Sequence, residues 1–494
     1  MRRLSPSAHR SWRWRSSPLP RWRSIRHPDT PRGIVGRAIP RGGPVPTILT
    51  IETPTLGDRS YLVHDGTHAF VVDPQRDIDR VLAVAAREGV RITDIFETHI
   101  HNDYVTGGFA LAQQTGAAYH VGADDPVSFE RVPIRDGEVV RVGESMVVRA
   151  LLTPGHTFTH LSYVLEGDPP AVFSGGSLLF GSTGRPDLLG ADHAEELARL
   201  QHASAHRLAE LPDETAVMPT HGFGSFCSAT QTEGTASTIG REKRANTALT
   251  RDVEDFVAET LAGLDAYPAY YAHMGPANAA GPEAPDLSPP RRAGKEDIRR
   301  AITAGEWVVD LRTRTAFAAG HVPGTFSFAL DGQFATYLGW MIPWGTPLTL
   351  LGETAAQVAE AQRELVRIGI DRPEAAATGE PRDWTDGDIA AVPRVRFGDL
   401  SQVRHHRPVH ILDVRRRSEY AESHIAGAIN IPLHELLPRL DEVPRGEVWV
   451  HCAGGYRSLV ASSFLLANGH RAVYVDDDYE PGARRAGLEL VTAG

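Results

Sequence analysis

Glu97-Thr98-His99-Ile100-His101-Asn102-Asp103-Tyr104 closes a β-prone run that begins at Ile92. Two histidines one residue apart at a strand end can turn onto a common metal, with the carboxylate of Asp103 close behind. Imidazole suits Zn and Fe, and an open catalytic site needs only three protein ligands. Two more histidines stand on turns downstream, in Thr153-Pro154-Gly155-His156-Thr157 and in Pro219-Thr220-His221-Gly222. Taken singly, each reads as well as a capping or surface histidine in a chain with 22 of them. The ordered set of turn-located signals is what argues for a metal centre.

Upstream, Ile48, Thr50, Tyr61, Val63 and Ala69 to Val72 fall in short strand-like stretches separated by Gly and Asp turns. Ile78, Val81, Leu82 and Ala85 follow the i, i+3, i+4, i+7 spacing of one helix face. This alternation predicts a layered domain of strands and helices over 46–267. Pro268 to Ala293, rich in Pro, Ala and Gly, reads as a linker, so that 268–294 joins the first domain to the C-terminal part of the chain. Beyond it Asp310, Arg312, His321 and Gly324 recur as Asp413, Arg415, His424 and Gly427, each 103 residues later. A fixed offset at four positions predicts a duplicated domain, over 295–392 and again over 395–494.

A chain of 494 residues fits about three such units of ~100–200 residues each. The net charge of −11 hides an asymmetry, because residues 1–45 hold eleven arginines and a single acid, Asp29. The remainder carries 40 basic against 61 acidic residues, a net −21. Such a body is a poor partner for nucleic acid, which binds concentrated positive charge. No apolar run approaches the ~18–20 residues that cross a bilayer, so no membrane span is expected. The Arg/Pro/Ser/Trp-rich leader lacks the apolar core of a secretory signal and reads as a disordered extension. Only Cys227 and Cys452 occur, which excludes a disulfide framework and favours a reducing, cytoplasmic setting.

Cys452 ends the apolar strand pattern Glu447 to His451, and Cys452-Ala453-Gly454-Gly455-Tyr456-Arg457-Ser458 leads into the helical run Leu459 to Leu466. A strand, glycine-rich turn and helix aim backbone N–H groups and a helix N-terminus inward, where they favour a thiolate or a bound persulfide anion. Arg457 adds positive charge. The earlier repeat contains no cysteine, so cysteine chemistry is impossible there and a scaffolding or docking role is expected. Cys227, close after His221, reads as a packed thiol or as a second sulfur carrier.

The histidine motifs resemble the metallo-β-lactamase superfamily, and within it the branch of glyoxalase II and the persulfide dioxygenases, over about Thr47 to Leu264. The Cys452 loop, Asp413-Val414-Arg415 and His424 to Pro432 resemble the CxxGxR loop and two further signatures of rhodaneses. The resemblance implies an α/β multidomain protein: an αββα metallo-β-lactamase sandwich followed by two α/β rhodanese-like domains, the first degenerate. It maps His99, His101 and His156 to a first metal site, and Asp103 and His221 to a second. It also implies Cys452 as sulfur acceptor with Arg457 steering anionic donors, and Arg185 or Arg241 as a clamp for a thiol carboxylate.

Two departures bear on the chemistry. Tyr104 stands where a further histidine is usual, and Gly176, in Phe173-Ser174-Gly175-Gly176-Ser177, stands where an aspartate is usual. The second site keeps too few ligands for a two-metal hydrolase, whose bridging hydroxide needs both ions. At the first site three routes stay open: His101 completes it, Asp103 swings in, or the centre is weakened. The expectation is one divalent metal, Fe(II) first and Zn second, acting on a glutathione-type persulfide and O2 to give sulfite. Thiosulfate or persulfide would then exchange sulfur at Cys452. The alternatives are a thioester hydrolase of the glyoxalase II type, or a sulfurtransferase with an inert metal domain. A homo-oligomer is left open.

Overall fold

The computed structural model describes residues 45–229 and 234–492; the basic leader lies outside these, apart from Val45. Two six-stranded mixed sheets form the first half. The first runs in sequence order through Thr47–Thr53, Asp58–His64, His68–Val72, Arg91–Phe96, Ala118–Gly122 and Val132–Ile134. The second runs from Val139–Val142 through Met146–Leu152, Leu161–Leu165, Ala171–Gly175 and Ala216–Pro219 to Ser237–Thr238. Their facing sides share one apolar layer, in which Tyr61, Phe70, Phe96, Val148, Tyr163 and Phe173 are buried. Phe70 and Phe173 meet edge to face across the sheets at 5.8 Å, and Phe96 and Tyr163 lie 4.9 Å apart.

Helices cover both outer faces. Asp79–Glu88 buries Val81 and Ala85 with Ile78 against the first sheet, as the i, i+3, i+4, i+7 pattern requires. Ala194–Leu208 and Val253–Ala262 pack on the second. The result is an αββα sandwich, and both sheets end at the edge where the histidine turns leave.

The second half holds two parallel sheets. One has the order Phe326–Ser327, Trp307–Asp310, Leu348–Gly352, Ala375–Thr378; the other Ile429–Asn430, His410–Asp413, Glu447–His451, Arg471–Val475, Arg394–Val395. The repeat is visible in side chains as well. Arg312 grips Asp310, and Arg415 grips Asp413, with Nη2–Oδ2 distances of 2.6 Å in both. His321 stacks on Phe317 and donates to its carbonyl, as His424 does with Tyr420. Asp310 pairs with Leu351, and Asp413 with His451, so strand register puts Gly352 where the later copy has Cys452.

The stretch expected to be a linker is built differently. Tyr271–Ala280 is a helix, with Tyr271, Met274 and Asn278 buried. Its Pro276 and lack of an amphipathic stripe hide it from periodicity arguments; it is ordered by packing between neighbours on several sides. Residues 44–494 form a single compact unit. One continuous core contains Leu56 and Tyr104, then Met274, Phe334 and Leu338, then Cys452 and Phe464. No helix among the described residues is long and apolar enough to cross a membrane.

Candidate metal centre and cysteine loop

Asp73 organises the histidine edge. It follows the buried strand His68–Val72 and adopts a φ of 51°, turning its carboxylate back over the sheet. Thr98 donates its backbone N–H to Oδ1 at 2.7 Å and its hydroxyl to Oδ2 at 2.8 Å. The Thr220 hydroxyl donates to the same Oδ2. The residues immediately before His99 and His221 are therefore tied to one carboxylate. Burial raises the pKa of Asp73, but His101 and these donors outweigh it and hold the carboxyl below its usual range.

Three imidazoles are anchored through Nδ1. His99 Nδ1 lies 2.9 Å from Thr98 Oγ1, and His156 Nδ1 donates to the Arg185 carbonyl at 2.9 Å. His221 Nδ1 lies 2.9 Å from Asp58 Oδ1 and 3.1 Å from Asp103 Oδ2. Metal-bound histidines characteristically donate their other nitrogen in this way. The Nε2 atoms of His99 and His221 then face each other at 3.4 Å. That matches the edge of about 3.3 Å between two nitrogens held tetrahedrally at roughly 2.0–2.1 Å from zinc. His156 Nε2 is buried without a partner, and so are Asp103 Oδ1 and Asp58 Oδ2. Orphaned buried acceptors of this kind are costly unless something binds them. The donor set fits a divalent metal.

Electrostatics follows the same division. Burial, then the neighbouring imidazoles, lowers His99 well below its usual pKa, and burial takes His156 down to about 3. Both imidazoles are therefore neutral. His221 is opposite: burial lowers it, but Asp103 and Asp58 outweigh burial and raise it to about 10. Asp103 stays ionised below the usual carboxylate range, while burial and the Asp103 charge raise Asp58 to about 8.

The grouping differs from the one inferred from sequence. Ligand atoms that come within 4.8 Å of one another belong to His99, His101 and His221, and separately to His156, His221 and Cys227. Asp103 joins His221 and Asp58. His101 is anchored through its other nitrogen: its Nε2 lies 3.0 Å from the Tyr104 hydroxyl and 3.3 Å from Asp73, which leaves its buried Nδ1 without a partner. Gly176 lies under the His156 ring, where an added Cβ would come within 2.3 Å of Cδ2, and its N–H donates to His160 Nε2 at 3.0 Å. His156 thus occupies the room a side chain at 176 would need.

Asp58, Asp73 and His160 escape a reading that looks for H-x-H spacing, although Asp73 sits in the visible strand-end sequence Asp73-Pro74. Asn278 gives no sequence signal at all. Its amide donates to the carbonyls of His101 at 2.9 Å and Tyr104 at 2.8 Å, and accepts from Thr106 N at 2.9 Å. It clamps the histidine turn from outside the sandwich.

The guanidinium groups of the two arginines expected as clamps are engaged with other partners. Arg185 spends its guanidinium on Asp187 at 2.6 and 2.7 Å, on Asp265 O at 2.7 Å and on Phe226 O at 3.3 Å, and stacks over Tyr267. It serves the site through its carbonyl, which holds His156. Arg241 is exposed on the helix Ile239–Ala245 and donates to Ala236 O, and no hydrogen bond among the described residues joins it to the histidines. Cys227 is fully buried, and burial, with Asp103 and Asp58 nearby, pushes its thiol well above the usual pKa. That is an inert thiol.

Cys452 leaves the buried strand Glu447–His451 and is itself only 2% exposed. Gly455, at φ 94°, reverses the chain into the helix Tyr456–Ala467, and its N–H donates to Sγ at 3.2 Å. A Cβ at Gly455 would meet Asp476 Oδ1 at 2.3 Å and Arg314 Nη1 at 2.4 Å, so only glycine fits. Ser458 Oγ lies 3.6 Å from Sγ and donates to the Gly455 carbonyl. Arg457 forms a two-pronged bond with Glu419 at 2.6 and 2.8 Å. Burial raises Glu419, but Arg457 outweighs burial and brings it down to about 2. From the cysteine-free copy, Arg314 donates to the Gly454 carbonyl at 2.7 Å, and Tyr456 of the loop donates to Ala329 O at 3.1 Å, so Ala453 to Ser458 is held from two sides.

Two family profiles match this chain: the metallo-beta-lactamase superfamily over residues 56–221, and the rhodanese-like domain over 398–481. A hydroxyacylglutathione hydrolase from Rhodopseudomonas palustris (strain CGA009) is 30% identical over 246 residues, covering 44% of this chain and 91% of that protein. One from Polaromonas sp. (strain JS666) is 32% identical over 158 residues, covering 31% of this chain and 57% of that protein. The chain thus spans little more than half the length of several such relatives. Among solved structures, a metallo-beta-lactamase from Staphylococcus aureus subsp. aureus COL is 26% identical with a TM-score of 0.60, over 68% of this chain and 99% of that one.

Proposed function

Because the chain belongs to the metallo-β-lactamase superfamily and carries a rhodanese-like domain at its C-terminal end, we propose that it is a two-centre sulfur enzyme. One centre is Cys452, which accepts a sulfane sulfur from thiosulfate or a persulfide and passes it to a thiol or another small nucleophile. The other is the histidine edge, which holds one divalent metal and oxidises a low-molecular-weight persulfide of the glutathione type: RSSH + O2 + H2O gives RSH and sulfurous acid. The domains are assigned as 46–267, 295–392 and 395–494, the middle one a rhodanese-like copy with Gly352 in place of the cysteine.

The observation that carries the sulfurtransfer reading is the Gly455 N–H donated to Cys452 Sγ at 3.2 Å at the head of a helix. A backbone donor and a helix N-terminus favour negative charge on sulfur. The same donors suit the terminal sulfur of a persulfide. Covalent relay through a cysteine is ordinary nucleophilic catalysis.

At the histidine edge, His99, His101 and His221 would hold the metal, with His156 adjoining on the His221 side. A bound Fe(II) would supply the open positions at which an anionic persulfide and O2 meet. This chain's own residues set orientation: Asp73 fixes Thr98 and Thr220, and Asn278 fixes the His101–Tyr104 turn. The Cys227 and Cys452 thiols are free, which suits a reducing, cytoplasmic setting.

A second reading is supported by the relatives, which are named hydroxyacylglutathione hydrolases. It makes the histidine edge a thioesterase. Gly176 under His156, and Tyr104 on His101, weigh against the pair of ions that such hydrolysis needs. Anaerobically purified protein is expected to hold one iron and to consume O2 with glutathione persulfide. Turnover of lactoylglutathione with zinc, without O2 uptake, would replace the dioxygenase by the hydrolase.

A further inference from the structure

Cys227 lies beside the histidine edge and takes no part in either centre proposed above. Its sulfur and one ring nitrogen each of His156 and His221 lie within 4.8 Å of one another, and all three residues are fully buried. The scaffold that holds them is shared. Arg185 donates its backbone N–H to the Cys227 carbonyl at 2.8 Å, and its own carbonyl accepts from His156 Nδ1 at 2.9 Å. The Ser225 hydroxyl accepts the Cys227 N–H at 3.1 Å and donates to Asp103 Oδ2 at 3.2 Å. That same oxygen faces His221 Nδ1 at 3.1 Å.

These commitments leave one free nitrogen on each ring. His156 donates through Nδ1, so its Nε2 carries a lone pair, and that atom is buried without a partner. A buried acceptor in this state is costly unless something binds it. His221, held at Nδ1 by Asp58, presents only Nε2. Two imidazole nitrogens and a thiol sulfur make a softer donor set than the imidazoles of His99, His101 and His221. Thiolate and imidazole together suit zinc, which also binds such donors more tightly than Fe(II) does. Cys227 is inert as a nucleophile, yet a coordinating thiol is deprotonated outright by the ion it binds.

We propose that His156, His221 and Cys227 form a second metal position, which takes zinc and excludes iron from the neighbouring position by sharing His221. The competition rests on the iron reading above; the zinc position stands without it. Asp58 and Asp103 occupy His221 Nδ1, so Nε2 serves one ion at a time. Zinc captured on the His156 side takes a ligand away from His99 and His101, and O2 chemistry stops with no change at Cys452. Binding forms one Zn–S and two Zn–N bonds, the thiol proton passes to solvent, and nothing is oxidised.

The full chain loaded with one equivalent of zinc should show, by X-ray absorption at the zinc edge, one sulfur neighbour at about 2.3 Å beside nitrogens at about 2.0–2.1 Å. Cys227→Ser and Cys227→Ala should lose that sulfur and weaken zinc binding at least about tenfold. Cys452→Ser should keep it, and because Cys227 is then the one cysteine left, this variant assigns the sulfur even where a Cys227 variant fails to fold. Iron-loaded protein should show no sulfur neighbour, and one equivalent of zinc should expel the iron from wild type but not from Cys227→Ser. A zinc shell without sulfur in the wild type, or a sulfur that survives in Cys227→Ser, overturns the proposal. Iron retained beside bound zinc overturns the sharing of His221. A protein that binds zinc through sulfur but never takes up iron or O2 removes the iron reading, and the competition with it, while upholding the zinc position.

Discussion

His156 lies directly on Gly176: the ring Cδ2 is 2.3 Å from where a Cβ at 176 would stand. The usual carboxylate is therefore absent, and its room is filled as well. Putting an aspartate back is expected to damage the centre. Gly176→Asp must push His156 off the Arg185 carbonyl, an overpacking that costs about 1–3 kcal/mol. Chemical denaturation should show that loss, and elemental analysis should find less bound metal than in the wild type. A gain of metal in this variant would mean that His156 moves freely.

Asn278 joins three backbone groups of the histidine turn to a helix outside the sandwich. Asn278→Ala leaves two carbonyls and one N–H buried without partners, at about 1–3 kcal/mol each when unrelieved. The expected loss is about 3 kcal/mol or more in urea, with faster release of metal to a chelator. Unchanged release at reduced stability would confine Asn278 to folding.

The Arg457–Glu419 bond makes acid stability a local readout. The folded-state pKa of Glu419 falls from 4.5 to about 2, so its contribution is present above pH 4.5 and is lost as the pH falls toward 2. Full linkage would amount to about 3 kcal/mol, reduced because the pair is partly solvated. Glu419→Gln should flatten the stability profile between those values, measured by urea unfolding at several pH settings. An identical slope would show that other carboxylates govern the acid limb.

Cys452→Ser should abolish thiosulfate:cyanide sulfurtransfer while leaving O2 uptake intact, and His99→Ala should do the reverse. The crossed pair, assayed on one preparation, tests whether the two centres are chemically independent. Retained sulfurtransfer in Cys452→Ser would point to Cys227, whose burial argues against it.

Much of this architecture can be read from the sequence because its signals are local. The histidine turns, the Asp-x-Arg pairs and the glycine-rich cysteine loop each place chemistry within a few residues. The helix Tyr271–Ala280 is not local. It has no amphipathic stripe and contains a proline, and tertiary contacts decide it. The ligand grouping also escapes spacing arguments. His99 and His101 fall together as their spacing suggests, but the third member of their group is His221, which comes in from the far sheet because Thr220 shares a carboxylate with Thr98. Arg185 stands beside the centre but uses its carbonyl, a role that no side-chain motif encodes.

The apolar interior that runs without a break from Leu56 through Met274 and Phe334 to Phe464 has a practical corollary. Neither end can be cut away cleanly. Dividing the polypeptide near residue 290 would bare greasy faces on both fragments, and each would be expected to clump when produced alone.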